Sequence, residues 1–171
     1  MIERKGIVTS KGSTLTLVGP EIKVGQKAPD FRVLDNDGNP VTLADTKSKI
    51  RLISVVPSLD TSVCDLQTRR FNAEADKLGD KVRILTISVD LPFAQKRWCG
   101  AAGVDRLQTV SDHYDTNFGL AYGVLIKEKR LLTRSIFIVD EKDIVQYIQR
   151  VPDLSQEPKY DEALEALKRL L

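Results

Sequence analysis

Two cysteines are present in the 171 residues, and the surroundings of the first suggest chemistry. Cys64 stands in the stretch PSLDTSVCDLQ, just after an apolar run at residues 50–56. Pro57 marks the end of that run, because proline donates no hydrogen bond to a β-ladder. Thr61 lies three positions before Cys64, so its hydroxyl can reach the sulfur if a helix begins there. This arrangement favours a reactive thiol, although a cysteine beside an apolar strand is often inert core.

A reactive cysteine must be a thiolate, and a free thiol is mostly protonated at neutral pH. The N–H groups of a helix N-terminus stabilise an anion by about 0.3–1 kcal/mol, and by up to about 2 kcal/mol when partly buried. Lowering a thiol pKa from ~8.5 to about 6 takes about 3.4 kcal/mol, which is more than a helix end supplies. We therefore expect a further donor and a fixed positive charge from elsewhere in the chain. We expect the carboxylate of Asp65, which would oppose a thiolate, to face solvent or a basic residue.

The elements that would position Cys64 follow from hydrophobic periodicity. The apolar run at residues 50–56 predicts a buried strand, and residues 61–78 predict a helix that ends at Gly79. Further strands are predicted at 14–18, 31–34, 41–43, 82–89, 107–110, 135–139 and 144–148, and further helices at 93–102, 116–122 and 158–171. Residues 1–171 therefore read as one α/β domain, with a central mixed sheet flanked by helices and an N-terminal β-hairpin over about residues 1–20. The element order is consistent with a thioredoxin-like plan, whereas periodicity alone supports only an α/β domain with one sheet flanked by helices.

The composition excludes several classes of partner. The chain has 26 basic and 24 acidic residues, a net charge of +2, which gives no reason to expect nucleic acid or a membrane as a partner. No run approaches the roughly 18 apolar residues that cross a membrane, and the polar start lacks the apolar core of a secretory signal. We therefore expect a cytoplasmic protein, in which a permanent disulfide is uncommon. One histidine and two cysteines make a poor zinc site, so no metal is expected.

The residues around both cysteines resemble a known family. Pro57, Thr61 and Cys64 match the motif P-x-x-x-[TS]-x-x-C of peroxiredoxins. The segment around Cys99, DLPFAQKRWCG, is similar to the resolving-cysteine region of the thiol peroxidases, the atypical two-cysteine subfamily found in bacteria. GSTLTLVG resembles the N-terminal hairpin of that subfamily, and KVGQKAPDF, AYGV and RSIFIVD also fit. The resemblance covers essentially the whole chain, although the segment at residues 127–134 is short for the subfamily.

The resemblance implies a role for each site residue. Cys64 would be the peroxidatic cysteine, and Thr61 would hydrogen-bond its thiolate and the peroxide oxygen. Pro57 would shield the site from water, and Arg134 would supply the missing positive charge. Cys99 would be the resolving cysteine of the same chain. The resemblance also implies a thioredoxin-like fold, a homodimer and thioredoxin as the reductant.

The expected reaction needs no metal, flavin or haem, because sulfur carries the chemistry. Cys64 attacks a peroxide oxygen and becomes a sulfenic acid, and Cys99 converts that acid into a disulfide with release of water. A dithiol reductant then restores both thiols. The two cysteines are predicted on different helices, whereas a disulfide needs Cα atoms about 4.4–6.8 Å apart. We therefore expect the oxidised protein to rearrange around both residues.

Other functions stay open at this level. Oxidised Cys64 and Cys99 would suit a redox sensor that passes oxidation to a partner protein, with poor turnover of peroxide. The chain would otherwise be an ordinary α/β domain with two inert cysteines, or one with a permanent disulfide staple. A general disulfide oxidoreductase is disfavoured, because a CxxC motif is absent from the sequence. Trp98, beside Cys99, reads as a packing residue, and the sequence leaves open whether hydrogen peroxide or an organic hydroperoxide is preferred.

Overall fold

The computed structural model describes residues 1–47 and 49–171, which form eleven β-strands and four α-helices. In chain order these are β1 (Glu3–Ser10), β2 (Ser13–Val18), β3 (Arg32–Leu34), β4 (Pro40–Thr42), β5 (Ile50–Val55), α1 (Ser62–Leu78), β6 (Val82–Ser88), α2 (Pro92–Ala102), β7 (Gln108–Ser111), α3 (Asn117–Ala121), β8 (Leu125–Ile126), β9 (Leu131–Leu132), β10 (Ser135–Val139), β11 (Val145–Arg150) and α4 (Tyr160–Lys168). Among these residues no helix is long and apolar enough to cross a membrane.

A seven-stranded sheet forms the centre, with the strand order β11-β10-β5-β6-β7-β3-β4. Strands β5, β6 and β7 run parallel, and the remaining pairs are antiparallel. Every residue of β5 is buried, which is the burial that a continuous apolar run predicts for a parallel strand covered on both faces. The mixed central sheet flanked by helices, which the sequence predicts, is confirmed.

Helices α1, α2 and α4 cover one face of this sheet. Phe71 of α1 and Leu164 of α4 pack with sheet residues such as Leu52 and Ile136 in one buried cluster. Gln95 anchors α2, because its amide donates to the Val110 carbonyl at 2.9 Å and also to a serine hydroxyl of β6. The helices that carry the two cysteines therefore lie side by side on the same face.

The opposite face is covered by α3 and a second, smaller sheet. Strands β1, β2, β8 and β9 form this sheet in that order, and β1 and β2 make the N-terminal hairpin that the sequence predicts. The chain approaches itself closely where β2 and α3 end. A Cβ atom on Gly123, which has a φ of +64°, would lie 2.0 Å from the Pro20 carbonyl oxygen.

Two parts of the structure differ from the sequence-based expectation. Residues 125–132 form the short strands β8 and β9, where only a loop is expected, because β9 pairs with β8 and β8 pairs with β2. Two residues per strand carry no periodicity, so only the distant pairing partner reveals them. Helix α4 is also shorter than the predicted 158–171, since it begins at Tyr160 and ends at Lys168. Residues 169–170 form a turn, in which Leu170 N donates to the Leu167 carbonyl.

Candidate active site

Cys64 lies in the first turn of α1, where the backbone N–H groups have no partner inside the helix. Strand β5 ends two residues before Pro57, which is buried. A short loop then leads to Thr61, the residue that precedes the helix. The Cys64 side chain is fully buried and packs against Val56 and Leu59. Strand and helix thus place the sulfur at the end of the buried sheet, as the sequence predicts.

Arg134 brings a positive charge to the Cys64 sulfur. It directly precedes β10, the neighbour of β5, and is 1% exposed. Its Nη1 lies 3.4 Å from the Cys64 Sγ and 3.0 Å from the Gln67 Oε1, and it donates to both. Its Nη2 donates to the Leu154 carbonyl at 2.8 Å. Two acceptors on α1 and one carbonyl from the segment after β11 therefore hold one planar guanidinium against the sulfur.

Gln67 is a site residue that sequence reasoning missed. Its side chain is fully buried one turn after Cys64, and its amide nitrogen donates to the Ser54 hydroxyl at 2.8 Å. The amide oxygen is therefore held toward Arg134. A buried polar side chain on the apolar stripe of a helix is the signal that could have identified it, because such groups need a partner.

Asp90 is a second residue that sequence reasoning missed. It follows β6, and its carboxylate accepts hydrogen bonds from the Ser58 hydroxyl at 2.7 Å and the Leu59 backbone N–H at 2.8 Å. It also accepts from the Ser88 hydroxyl at 2.7 Å. One carboxylate therefore ties the loop before Cys64 to the end of the next parallel strand. The available signal was its position at the carboxyl end of a buried strand, where open α/β sheets carry their sites.

Thr61 is exposed, and its hydroxyl donates to the Ser58 carbonyl at 3.0 Å. Within the described residues, Arg134 is the group that hydrogen-bonds the Cys64 sulfur. The expected hydrogen bond between Thr61 and the sulfur therefore stays a prediction.

Cys99 lies in α2, near its C-terminal end, and is half-buried beside a surface cavity of about 250 Å³. Its Sγ lies 3.3 Å from the Thr109 hydroxyl, which in turn donates to the Asn36 Oδ1 at 2.9 Å. Because the threonine hydrogen is used in that bond, the Cys99 thiol is the donor to Thr109. Gly103 ends the helix in the left-handed conformation, with a φ of +68°.

Both cysteines are free thiols, and their partners lie on distant strands. Arg134 precedes β10 and Thr109 lies in β7, with β5 and β6 between these strands. Three spacings of about 4.8 Å separate the partners by roughly 14 Å across the sheet. The structure thus brings Cys64 and Arg134 together, places Pro57 in the loop before α1, and holds Cys99 apart from Cys64.

In the part of the chain that the structure describes, no group of three or more His, Cys, Asp or Glu side chains is arranged to hold a metal ion. What the arrangement offers is a buried sulfur beside a guanidinium and a helix N-terminus, together with a second thiol on a neighbouring helix.

Comparison with known proteins supports this description. The redoxin family matches residues 23–164. The chain is 57% identical to a thiol peroxidase of Halalkalibacterium halodurans and 56% identical to one of Bacillus subtilis, in each case over 164 residues, 96% of this chain and 98% of the relative. A thiol peroxidase of Staphylococcus aureus is 53% identical over 163 residues, 95% of this chain and 98% of the relative.

Solved structures give the same result for the fold. A peroxiredoxin-like protein from Aquifex aeolicus superposes with a TM-score of 0.91 at 38% identity, over 98% of each chain. A thiol peroxidase from Chromobacterium violaceum superposes with a TM-score of 0.84 over 95% of each chain, and its 20% identity makes this a likeness of fold. The thioredoxin-like architecture predicted from the sequence is confirmed.

Proposed function

The chain belongs to the redoxin family, among its thiol peroxidases, and therefore reduces peroxides with electrons from thiols; on that premise we propose which residues carry out each step. Cys64 is the peroxidatic cysteine and Cys99 the resolving cysteine. The observation that carries this assignment is the Arg134 guanidinium, which lies 3.4 Å from the buried sulfur in the first turn of α1. Arg134, Thr61 and Pro57 complete the peroxidatic site.

The first step is attack of the Cys64 thiolate on one peroxide oxygen. The S–O bond forms as the O–O bond breaks, and the other oxygen takes up a proton and leaves as water or an alcohol. Arg134 stabilises the negative charge, first on sulfur and then on the departing oxygen, because a guanidinium donates in two directions at once. The Thr61 hydroxyl turns from the Ser58 carbonyl toward the reacting atoms, and Pro57 keeps water out.

The second step joins the two cysteines. The Cys99 thiol attacks the sulfur of the Cys64 sulfenic acid, a disulfide forms, and water leaves. The sulfurs rest on partners roughly 14 Å apart across the sheet, so one or both helices must rearrange first. Cys99 is the sulfur with fewer contacts to lose, since it is half-buried and lies beside an open cavity.

A dithiol then reduces the disulfide, and thioredoxin is the reductant that we expect. Two free thiols suit the reducing cytoplasm, where such a reductant is available. The protein assembles as a homodimer, for which Leu91 and Phe93, 51% and 81% exposed at the start of α2, offer apolar surface. The alternative role as a redox sensor is not favoured, given the close similarity to thiol peroxidases along the whole chain.

The test is a count of free thiols after a single peroxide exposure. Reduced protein receives one equivalent of hydrogen peroxide, is denatured within seconds, and its thiols are alkylated and counted. We expect both thiols to be lost while the chain stays monomeric on a non-reducing gel. Cys99→Ser should lose its remaining thiol to a sulfenic acid, and Cys64→Ser should keep its own. Two intact thiols in the parent protein would reject these roles, and loss of one alone would remove Cys99 as the resolver.

A further inference from the structure

Three side chains join the helix of Cys64 to the helix of Cys99, and the reaction described above does not use them. Asp65 directly follows Cys64, and Trp98 directly precedes Cys99. Trp98 Nε1 donates to the Asp65 Oδ1 at 3.1 Å, so the neighbours of the two cysteines hold each other. Arg69 completes the group, because its Nε donates to the Asp65 Oδ2 at 2.8 Å. We call Asp65, Arg69 and Trp98 the helix clasp.

The helix clasp contacts α2 at more than one point. The guanidinium of Arg69 lies over the Trp98 ring, 5.7 Å from the ring centroid. Its Nη1 also donates to the Ala102 carbonyl at 3.2 Å, at the last residue of α2. The carbonyl groups of the last helical turn accept no hydrogen bond from within the helix, so the bond from Arg69 fixes the end of α2. Trp98 itself packs against the apolar cluster around Cys64.

The closed clasp opposes the movement that the disulfide requires. The Cα atoms of Cys64 and Cys99 must come within about 4.4–6.8 Å of each other, and the Cα of Trp98 is only about 3.8 Å from that of Cys99. Trp98 packs against the cluster of Val56, Leu59 and Cys64. Movement of Cys99 to the Cys64 sulfur therefore shifts Trp98 away from this packing and from its bond to Asp65. The clasp has to open before the second step of the reaction.

We propose that the helix clasp is a positioning device that sets how fast Cys99 reaches oxidised Cys64, and hence how often Cys64 is overoxidised. The proposal rests on the proposed roles of the two cysteines. The sulfenic acid has two fates. Cys99 attacks its sulfur and water leaves, or a second peroxide oxidises it to the sulfinic acid and is itself reduced to water or an alcohol. A closed clasp delays the first fate and so favours the second.

The test measures the ratio of disulfide to sulfinic acid. Reduced protein is mixed with excess hydrogen peroxide without reductant, and both products are quantified by mass spectrometry across a range of peroxide concentrations. Trp98→Phe keeps the aromatic packing and removes the N–H donor. We expect it to need roughly tenfold more peroxide for the same sulfinic fraction, because a hydrogen bond to a charged group is among the stronger ones. Asp65→Ala, at a half-buried position, should shift the ratio in the same direction.

Two controls separate the clasp from a general loosening of α2. Arg97→Gln, on the exposed side of the same helix, should leave the ratio unchanged. The double variant Asp65→Ala, Trp98→Phe should shift the ratio by less than the product of the two single shifts, because both substitutions break the same hydrogen bond. If the double variant shows the full product of the two single shifts, or if Trp98→Phe leaves the ratio unchanged, the proposed role of the helix clasp is wrong, while the proposed roles of the cysteines stand. If the parent protein forms no disulfide at low peroxide, the proposed function fails and the clasp fails with it.

Discussion

The two cysteines lie under the same face of one sheet, and their surroundings differ in kind. Cys64 is fully buried, sits in the first turn of a helix and lies 3.4 Å from a guanidinium that has two further acceptors. Cys99 is half-buried beside a cavity, near a helix end, and its sulfur lies 3.3 Å from the Thr109 hydroxyl. One sulfur is held by charged and buried groups, and the other by a single weak polar contact.

The difference follows from what each sulfur has to do. A nucleophile benefits from donors that are already in place, because donors recruited during the reaction cost reorganisation free energy. A resolving thiol has to travel, so each strong contact in its resting position raises the barrier to the second step. We therefore expect loss of one polar group near Cys64 to slow peroxide attack strongly, and loss of the Thr109 contact to change the rate of disulfide formation little.

The largest effect is expected from Arg134→Met. This change removes the guanidinium that hydrogen-bonds the Cys64 sulfur, and it leaves the Gln67 oxygen and the Leu154 carbonyl without their donor. We expect the rate constant for sulfenic acid formation to fall by about 10²–10³, the usual cost of losing an oxyanion donor. Rapid-quench trapping of the sulfenic acid in a Cys99→Ser background measures this step directly.

Arg130→Met is the matched control for that experiment. Arg130 lies four residues earlier, is exposed, and its Nη2 is 3.5 Å from the Thr116 hydroxyl. The same loss of charge there should change the peroxide step by less than about twofold, since exposed charges are screened. An equal loss in both variants would show that general charge, and not the placement of Arg134, promotes the reaction.

A smaller effect is expected from Asp90→Asn, which acts on the loop before Cys64. The two carboxylate oxygens accept from Ser58, Leu59 and Ser88. Asparagine keeps one acceptor oxygen, and its amide nitrogen, which only donates, cannot accept from the partners of the other. We expect the peroxide step to slow by roughly tenfold and the free energy of unfolding to fall by about 1–3 kcal/mol. Urea denaturation and the same trapping experiment measure the two effects. Asp60→Asn, in the exposed part of the same loop, should change neither, and a slowdown there would contradict the proposed role of Asp90.

The position of Cys64 could be predicted from the sequence, whereas the residues that hold its surroundings in place could not. Strand β5 and helix α1 follow from a continuous apolar run and a 3.6-residue stripe, so the position of Cys64 at their junction could be predicted. Asp90 and Gln67 reach the site through the fold, and local patterns assign them to a helix start and a helix face. Leu154 contributes a backbone carbonyl, which every residue has, so no side-chain pattern could identify it.

The contacts around Cys99 could likewise not be predicted from local sequence patterns. The resemblance identified Cys99, and the rearrangement was expected from its placement on a second helix. That its thiol rests on Thr109 depends on the pairing of β7 with β6 and on the rotation of α2, which no local pattern encodes. The bond between Trp98 and Asp65 was missed for the same reason, since only packing was expected of Trp98.

Thr109→Val tests the single polar contact of Cys99, and it has the smallest expected effect on a rate. Valine keeps the shape of threonine and removes the oxygen that accepts from the Cys99 thiol. Because a typical hydrogen bond contributes about 0.5–1.5 kcal/mol and sulfur donors are weaker, we expect disulfide formation to quicken by no more than about threefold.

Thr86→Val is the control, since the Thr86 hydroxyl, on the neighbouring strand, has no partner among the described residues. Stopped-flow tryptophan fluorescence can follow the step, because Trp98 is the one tryptophan of the chain. A slowdown of tenfold or more in Thr109→Val would show that Cys99 needs its resting contact to react, and the contrast between a held nucleophile and a mobile resolver would then be wrong.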